Sequence, residues 1–212
     1  MSEELFEQRL SQFMDTLASG APTPGGGSVA ALTGAMAAGL ITMVCDLTIG
    51  KRQYADFEEE ARALRERSEA LRAELQTLAQ TDIDMFTKLS AAYKLPRTTD
   101  ADAALRRAAI QNASKQAAEA PLRTARAVAD LLPLCLPLAR MGNRLAVSDI
   151  GVAALLIRAA VPAALLNVEI NLGILQDQGF TREARARMED LTIGLEEEIQ
   201  GVLVLVQERM SG

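Results

Sequence analysis

A chain of 212 residues is long enough to bury a sizeable core as one domain spanning 1–212. Hydrophobic residues make up 49% of it and aromatics only 3%, which points to helices packed through small and aliphatic side chains. A formal net charge of −6 argues against nucleic-acid binding, and the absence of histidine excludes Ser-His-Asp and Cys-His nucleophile systems and His-ligated zinc.

Leu5, Phe6, Leu10, Phe13, Met14 and Leu17 share one helical face, and Gly20 is expected to close this first element. Next comes "PTPGGGSVAALTGAM", residues 22–36. A Gly-rich turn opening a helix aims unpaired N–H groups at an anion. Both nucleotide versions fail here. No Lys-Ser/Thr pair follows Gly27, and no strand precedes a G-x-G-x-x-G turn. A plain loop with Ser28 as helix cap is the other reading. Residues 27–45 are uncharged over about the length of a membrane span. Their Ala, Gly, Thr and Ser content, with Asp46, Lys51 and Arg52 directly after, favours a buried central helix of a bundle.

A long helix is expected from Asp56 to Tyr93, stopped by Leu95-Pro96. Along it Phe57, Ala61, Leu64, Ser68, Leu71, Leu75, Leu78, Asp82, Met85 and Leu89 alternate steps of four and three, the seam of a helix that meets partner helices. Asp82 therefore projects a carboxyl where its neighbours project leucines. It is either tied to helix N–H groups or an arginine, or it is a proton-transfer group whose pKa desolvation has raised. Asp84 leaves the seam for solvent.

Further helices are expected over Asp100–Ala118 and from Pro121, the latter kinked or divided at Pro133 and Pro137. Asn143 to Ser148 reads as a loop with Ser148 and Asp149 capping a long apolar helix, bent at Pro162 and ending near Asp177. On that helix Asn167 and Asn171 share a face, available for helix–helix hydrogen bonds or for a polar ligand. A last amphipathic helix is expected over Thr181–Met210. No alternating strand pattern occurs, so the class is all-α. Cys45 and Cys135 stand alone, and no signal-peptide pattern opens the chain, so a reduced cytoplasmic setting without a cysteine metal centre is expected.

Six ordered blocks carry a resemblance: "PTPGGGSVAAL" at 22–32, "LTIGKRQY" at 47–54, "DIDMF" at 82–86, "KLPRTT" at 94–99, "GNRLAVSDIGVAA" at 142–154 and "NVEINL" at 167–172. Together they resemble the cyclodeaminase/cyclohydrolase family of one-carbon folate enzymes. It includes the cyclodeaminase domain of formiminotransferase-cyclodeaminase and stand-alone methenyltetrahydrofolate cyclohydrolases. The resemblance implies a multihelical bundle with a buried central helix, a homodimer, and a folate cleft near the dimer interface. It implies a tetrahydrofolate substrate, polyglutamylated or not, with no tightly bound cofactor, no metal, no nucleic acid and no membrane. The family's catalytic aspartate falls on Asp82, and Gly25, Gly26, Gly27 and Ser28 line the cleft. Asn143, Ser148, Asp149, Asn167 and Asn171 complete the candidate substrate-binding set. Lys51, Arg52, Lys88 and Lys94 are candidate partners for the substrate's carboxylates. Two departures from the resemblance are expected: the family more often has Asn where Asp46 stands, and a formiminotransferase domain is not expected beside this one. A non-catalytic folate- or protein-binding dimer of the same fold is the rival reading.

Overall fold

The computed structural model describes residues 5–211, and among these it contains helices and turns but no strand. Leu10–Leu17 forms α1, shorter than the apolar pattern suggested, since Leu5 and Phe6 precede it. The central element is α2, Gly26–Thr48, whose apolar side chains are mostly buried between α3 and α6. Small residues make this burial feasible. At Gly34 a Cβ would come within 2.5 Å of Val128 Cγ2, so glycine is what lets α4 approach.

A 3-10 turn over Arg52–Phe57 leads into α3, Glu58–Tyr93, a 36-residue helix antiparallel to α2. Its seam is as the spacing predicts: Ala61, Leu64, Ser68, Leu75, Leu78 and Leu89 are buried. Ser68 shares a 2.7 Å hydrogen bond with Thr42 of α2, which satisfies both hydroxyls inside the contact.

Thr99 caps α4, Asp100–Ala129, with a reciprocal bond pair to Asp102. The expected boundary at Pro121 is corrected by the structure, because α4 runs straight through it. Pro121 has no N–H for the carbonyl of Ala117, and Asn171 Nδ2 of another helix donates to that carbonyl at 3.0 Å instead. The break falls at Asp130–Leu131, before α5, Leu132–Met141, so Pro133 sits harmlessly in a first turn.

A 3-10 turn over Arg144–Ala146 precedes α6, Val147–Leu172. Ser148 and Asp149 therefore lie inside its first turn and do not cap it, and α6 passes through Pro162 and stops before Asp177. The expected last helix is two: α7, Gln178–Thr192, and α8, Leu195–Ser211, separated at Ile193 and Gly194, whose φ is +72°. Both α2 and α6 are long and apolar enough to cross a membrane by length and composition, yet much of each is covered by neighbouring helices.

Candidate active site

The glycine triplet is the start of a helix. Gly25 is the N-cap, Gly26 and Gly27 open the first turn, and the first intrahelical bond runs from Val29 N to Gly25 O. The N–H groups of Gly26, Gly27 and Ser28 have no partner within α2, which makes this end an anion-seeking site. The anion it meets belongs to the chain itself. Asp82 of α3 reaches the α2 N-terminus, where Ser28 Oγ donates to its Oδ2 at 2.9 Å. The Ser28 N–H bears on the same carboxyl. Gly27 is required there: a Cβ on it would lie 2.5 Å from Asp82 Cγ, inside the carboxyl group.

Asp82 is half-buried, a correction to the fully buried carboxylate that the seam suggested. Burial raises its pKa above the ordinary carboxylate value, and the Ser28 hydroxyl and N–H pull in the opposite direction by stabilising the anion. No charged neighbour contributes to that shift.

The carboxyl stands in the wall of a cavity of about 380 Å³. Thr23 and the glycine triplet form one side, Met85, Phe86 and Leu89 of α3 another, and Ala117, Asn167, Ile170, Asn171 and Ile174 close it from α4 and α6. Asp82 is the sole ionisable group among these lining residues. The two asparagines spend their Nδ2 groups on backbone carbonyls. Asn167 donates to Ala163 O at 2.8 Å, and Asn171 to Ala117 O and Asn167 O. Their Oδ1 atoms carry no bond from the protein among the described residues, leaving acceptors at the cavity wall. A Cβ on Gly26 would make only ordinary contact with the Asn167 amide, 3.5 Å away.

Thus Gly25, Gly26, Gly27, Ser28, Asp82, Asn167 and Asn171 converge, and the other candidates do not. Lys88 lines a separate groove between α3 and α4, and Lys94 is exposed beyond it. Lys51 and Arg52 are exposed past the far end of α2. Asn143 is occupied structurally: its N–H donates to Thr48 Oγ1, its Nδ2 to Leu47 O, and its Oδ1 accepts from Leu145 N. Ser148 is exposed and Asp149 half-buried at that same distant end. Asp46 forms an ion pair with Arg65 across α2 and α3. The residues that sequence reasoning missed are the apolar wall, Met85, Phe86, Leu89, Ile170 and Ile174. Of these only Met85 and Leu89 belong to the heptad seam, and Ile170 falls between the two asparagines.

Neither cysteine is a nucleophile. Burial pushes both thiols up to about 12, with Asp46 adding to the effect at Cys45. Among the described residues no cluster of His, Cys, Asp and Glu could hold a metal ion. The chemistry open to the cavity is proton transfer at one carboxyl, set in an otherwise neutral and largely apolar wall.

Comparison with known proteins shows what this chain is similar to. The sequence profile of formiminotransferase-cyclodeaminase matches residues 9–190. A protein of Methylorubrum extorquens named methenyltetrahydrofolate cyclohydrolase is 41% identical over 184 residues, covering 87% of this chain and 88% of that protein. Formimidoyltransferase-cyclodeaminase of Sus scrofa is 37% identical over 203 residues, and the match spans only 37% of that longer protein. The crystal structure of formiminotetrahydrofolate cyclodeaminase from Thermotoga maritima superimposes with a TM-score of 0.82 at 33% identity, over 99% of this chain and 98% of that one.

Proposed function

The chain belongs to the formiminotransferase-cyclodeaminase family, and from that membership we propose that it interconverts one-carbon forms of tetrahydrofolate at the cavity beside Asp82. The first reading is methenyltetrahydrofolate cyclohydrolysis, favoured by a relative of that name matched over most of both chains. The second is cyclodeamination of the 5-formimino compound, favoured by the likeness to the Thermotoga maritima enzyme over nearly the whole of both chains.

The observation that carries the proposal is the single carboxyl in a neutral wall. Both substrates present an amidine-type carbon attached to N5 of tetrahydrofolate, cationic as the methenyl bridge and as the protonated formimino group. In cyclohydrolysis a C–O bond forms between water and the methenyl carbon, the bond from that carbon to N5 breaks, and the 10-formyl compound and one net proton result. Asp82 takes a proton from the attacking water and returns one to N5. In cyclodeamination N10 attacks the formimino carbon, and Asp82 takes the N10 proton and delivers one to the departing ammonia. Its raised pKa suits both halves of such an exchange, because a carboxyl nearer neutrality is both a better base and an available acid. Holding the reacting carbon against this group accounts for further rate by positioning.

The substrate is a tetrahydrofolate derivative, polyglutamylated or not, and no bound cofactor or metal enters either scheme. The enzyme acts in the cytoplasm as a homodimer; two free, buried cysteines fit a reducing compartment, and an exposed apolar face on α2 and α6 fits a dimer. The test is an absorbance assay at the methenyl-folate band. Starting from the methenyl compound, cyclohydrolase activity bleaches the band; starting from the 5-formimino compound, cyclodeaminase activity raises it. No change in either direction would refute the proposal.

A further inference from the structure

Phe86 is the one aromatic residue in the wall of the cavity, in a chain where aromatics make up only 3%. It lies outside the α3 seam and joins neither apolar cluster of the core, and it stays 42% exposed. Packing within the chain therefore does not call for an aromatic at this position. The surface that its ring supplies is cavity wall.

The helix fixes where that ring stands relative to Asp82. The two residues are four apart on α3, one turn and about 6 Å along the axis, so they share a face. Aromatic side chains on a helix lean back towards its N-terminus, which carries the Phe86 ring over the turn that holds Asp82. A carboxylate and the face of an aromatic ring both present negative potential, the first through a charge and the second through the ring quadrupole. Elsewhere in this chain such faces are already occupied by cations: the Arg106 guanidinium stands 5.7 Å from the Tyr93 ring centre, and the Lys115 ammonium 5.5 Å from that of Phe180. Phe86 has no cation over it among the described residues, and no lysine or arginine lines the cavity.

We propose that the cation over Phe86 is the one-carbon unit of the substrate itself, and that Phe86 sets specificity by holding the charged methenyl form more tightly than an uncharged folate of the same outline. The methenyl bridge is planar, and its charge is spread over N5, the bridging carbon and N10. Such a group lies flat on a ring while one edge turns to Asp82. The 10-formyl compound has the same pterin, aryl ring and glutamate without that charge. Apart from Asp82 and Phe86, the neutral wall treats the two compounds alike. A leucine at position 86 would supply a similar apolar surface but no quadrupole, which makes the two contributions separable.

The assignment rests on the folate reading above, and two probes separate the one from the other. The methenyl and 10-formyl compounds are titrated by equilibrium binding into protein carrying Asp82→Asn, which slows turnover and keeps the first probe intact. Adding Phe86→Leu is expected to weaken the methenyl compound about 5- to 30-fold and to leave the 10-formyl compound within about 2-fold. Phe86→Tyr retains an aromatic face and should retain the preference. With Asp82 in place, Phe86→Leu should raise KM for the methenyl compound by the same factor without lowering kcat, because the charge is present before water attacks. Equal weakening of both probes would reduce Phe86 to an apolar wall and overturn the proposal. So would a methenyl affinity that Phe86→Leu leaves unchanged, or a Tyr variant that behaves like the Leu variant. Wild-type protein that binds neither probe would refute the folate reading itself, and this assignment with it.

Discussion

Ser28 and Asp82 join two helices through one proton: the Ser28 hydroxyl stands 2.9 Å from Asp82 Oδ2 and 3.3 Å from the carbonyl of Ala79. When Asp82 is ionised the hydroxyl donates to it. When Asp82 is protonated it can donate to Ser28 Oγ, and the hydroxyl then turns to Ala79. Both protonation states are therefore satisfied without moving a heavy atom, as the proton exchange proposed for Asp82 requires.

Ser28→Ala removes a donor to the anion and should raise the pKa of Asp82 further. A hydrogen bond to a charged group is worth about 1.5–3 kcal/mol, which corresponds to a shift of about one to two pH units. The acid limb of the pH profile of kcat/KM should move up by that amount, and a carboxyl 13C titration of the ligand-free protein should report the same change. An unmoved titration would make Ser28 a purely structural link.

Asp82→Asn should lower the turnover number about 10²–10⁴-fold, with KM changing much less. Stability should move the other way. Because the folded-state pKa lies above the ordinary value, the contribution of Asp82 to stability is complete below the ordinary carboxylate range and is lost as pH rises through the folded pKa. Thermal melts should thus show the variant above wild type at pH 8, the gap closing towards pH 3. Near-normal turnover in a well-folded variant would remove Asp82 from the chemistry.

The three glycines should respond unequally. Gly27→Ala forces a methyl into the Asp82 carboxyl and should cost activity comparably to Asp82→Asn, together with about 1–3 kcal/mol of stability. Gly25→Ala meets open space and has a φ of −131°, so it should be near neutral for stability. Equal effects in denaturant melts would contradict the geometry.

Asn171 replaces the hydrogen bond that Pro121 cannot give. Asn171→Ala should destabilise by about 1–3 kcal/mol by leaving the Ala117 carbonyl unpaired. Adding Pro121→Ala restores a backbone N–H to that carbonyl and should recover part of the loss. A double-mutant cycle with no coupling would refute the compensation.

Chelation provides a short test of the site's chemistry. Prolonged treatment with a strong chelator should leave turnover unchanged, since the described residues offer no metal cluster. Loss of activity reversed by zinc alone would require a different site.

How much of this was legible in the sequence depends on which signals are local. The seam of α3 was readable because heptad spacing reports burial directly, and it exposed Asp82 as the exception. The start of α2 was half readable. Glycines opening a helix announce an anion site, but the anion came from a residue 54 positions away in the chain, which no local pattern reveals. Pro121 misled because its cost as a helix breaker was met by a side chain on α6. Gly194 was overlooked because amphipathic periodicity continues across it, although its positive φ ends the run. Asn143 reads from the sequence as a polar group open to a ligand, and only the fold shows its N–H, Nδ2 and Oδ1 each bonded where α2 meets the turn before α6. Lys51, Arg52 and Ser148 lie in blocks that read as one site, and only the antiparallel course of α2 and α6 shows that they occupy the far end.

A neutral wall with one carboxyl also sets how long each product stays. In the proposed hydrolysis the methenyl cation becomes an uncharged formyl amide, so any attraction towards Asp82 that would draw the substrate in vanishes as the reaction completes. Cyclodeamination keeps the positive charge on the folate, because the methenyl product is itself the cation. The same cavity should therefore release the product of the first reaction quickly and retain that of the second, making product inhibition a property of which reaction is run.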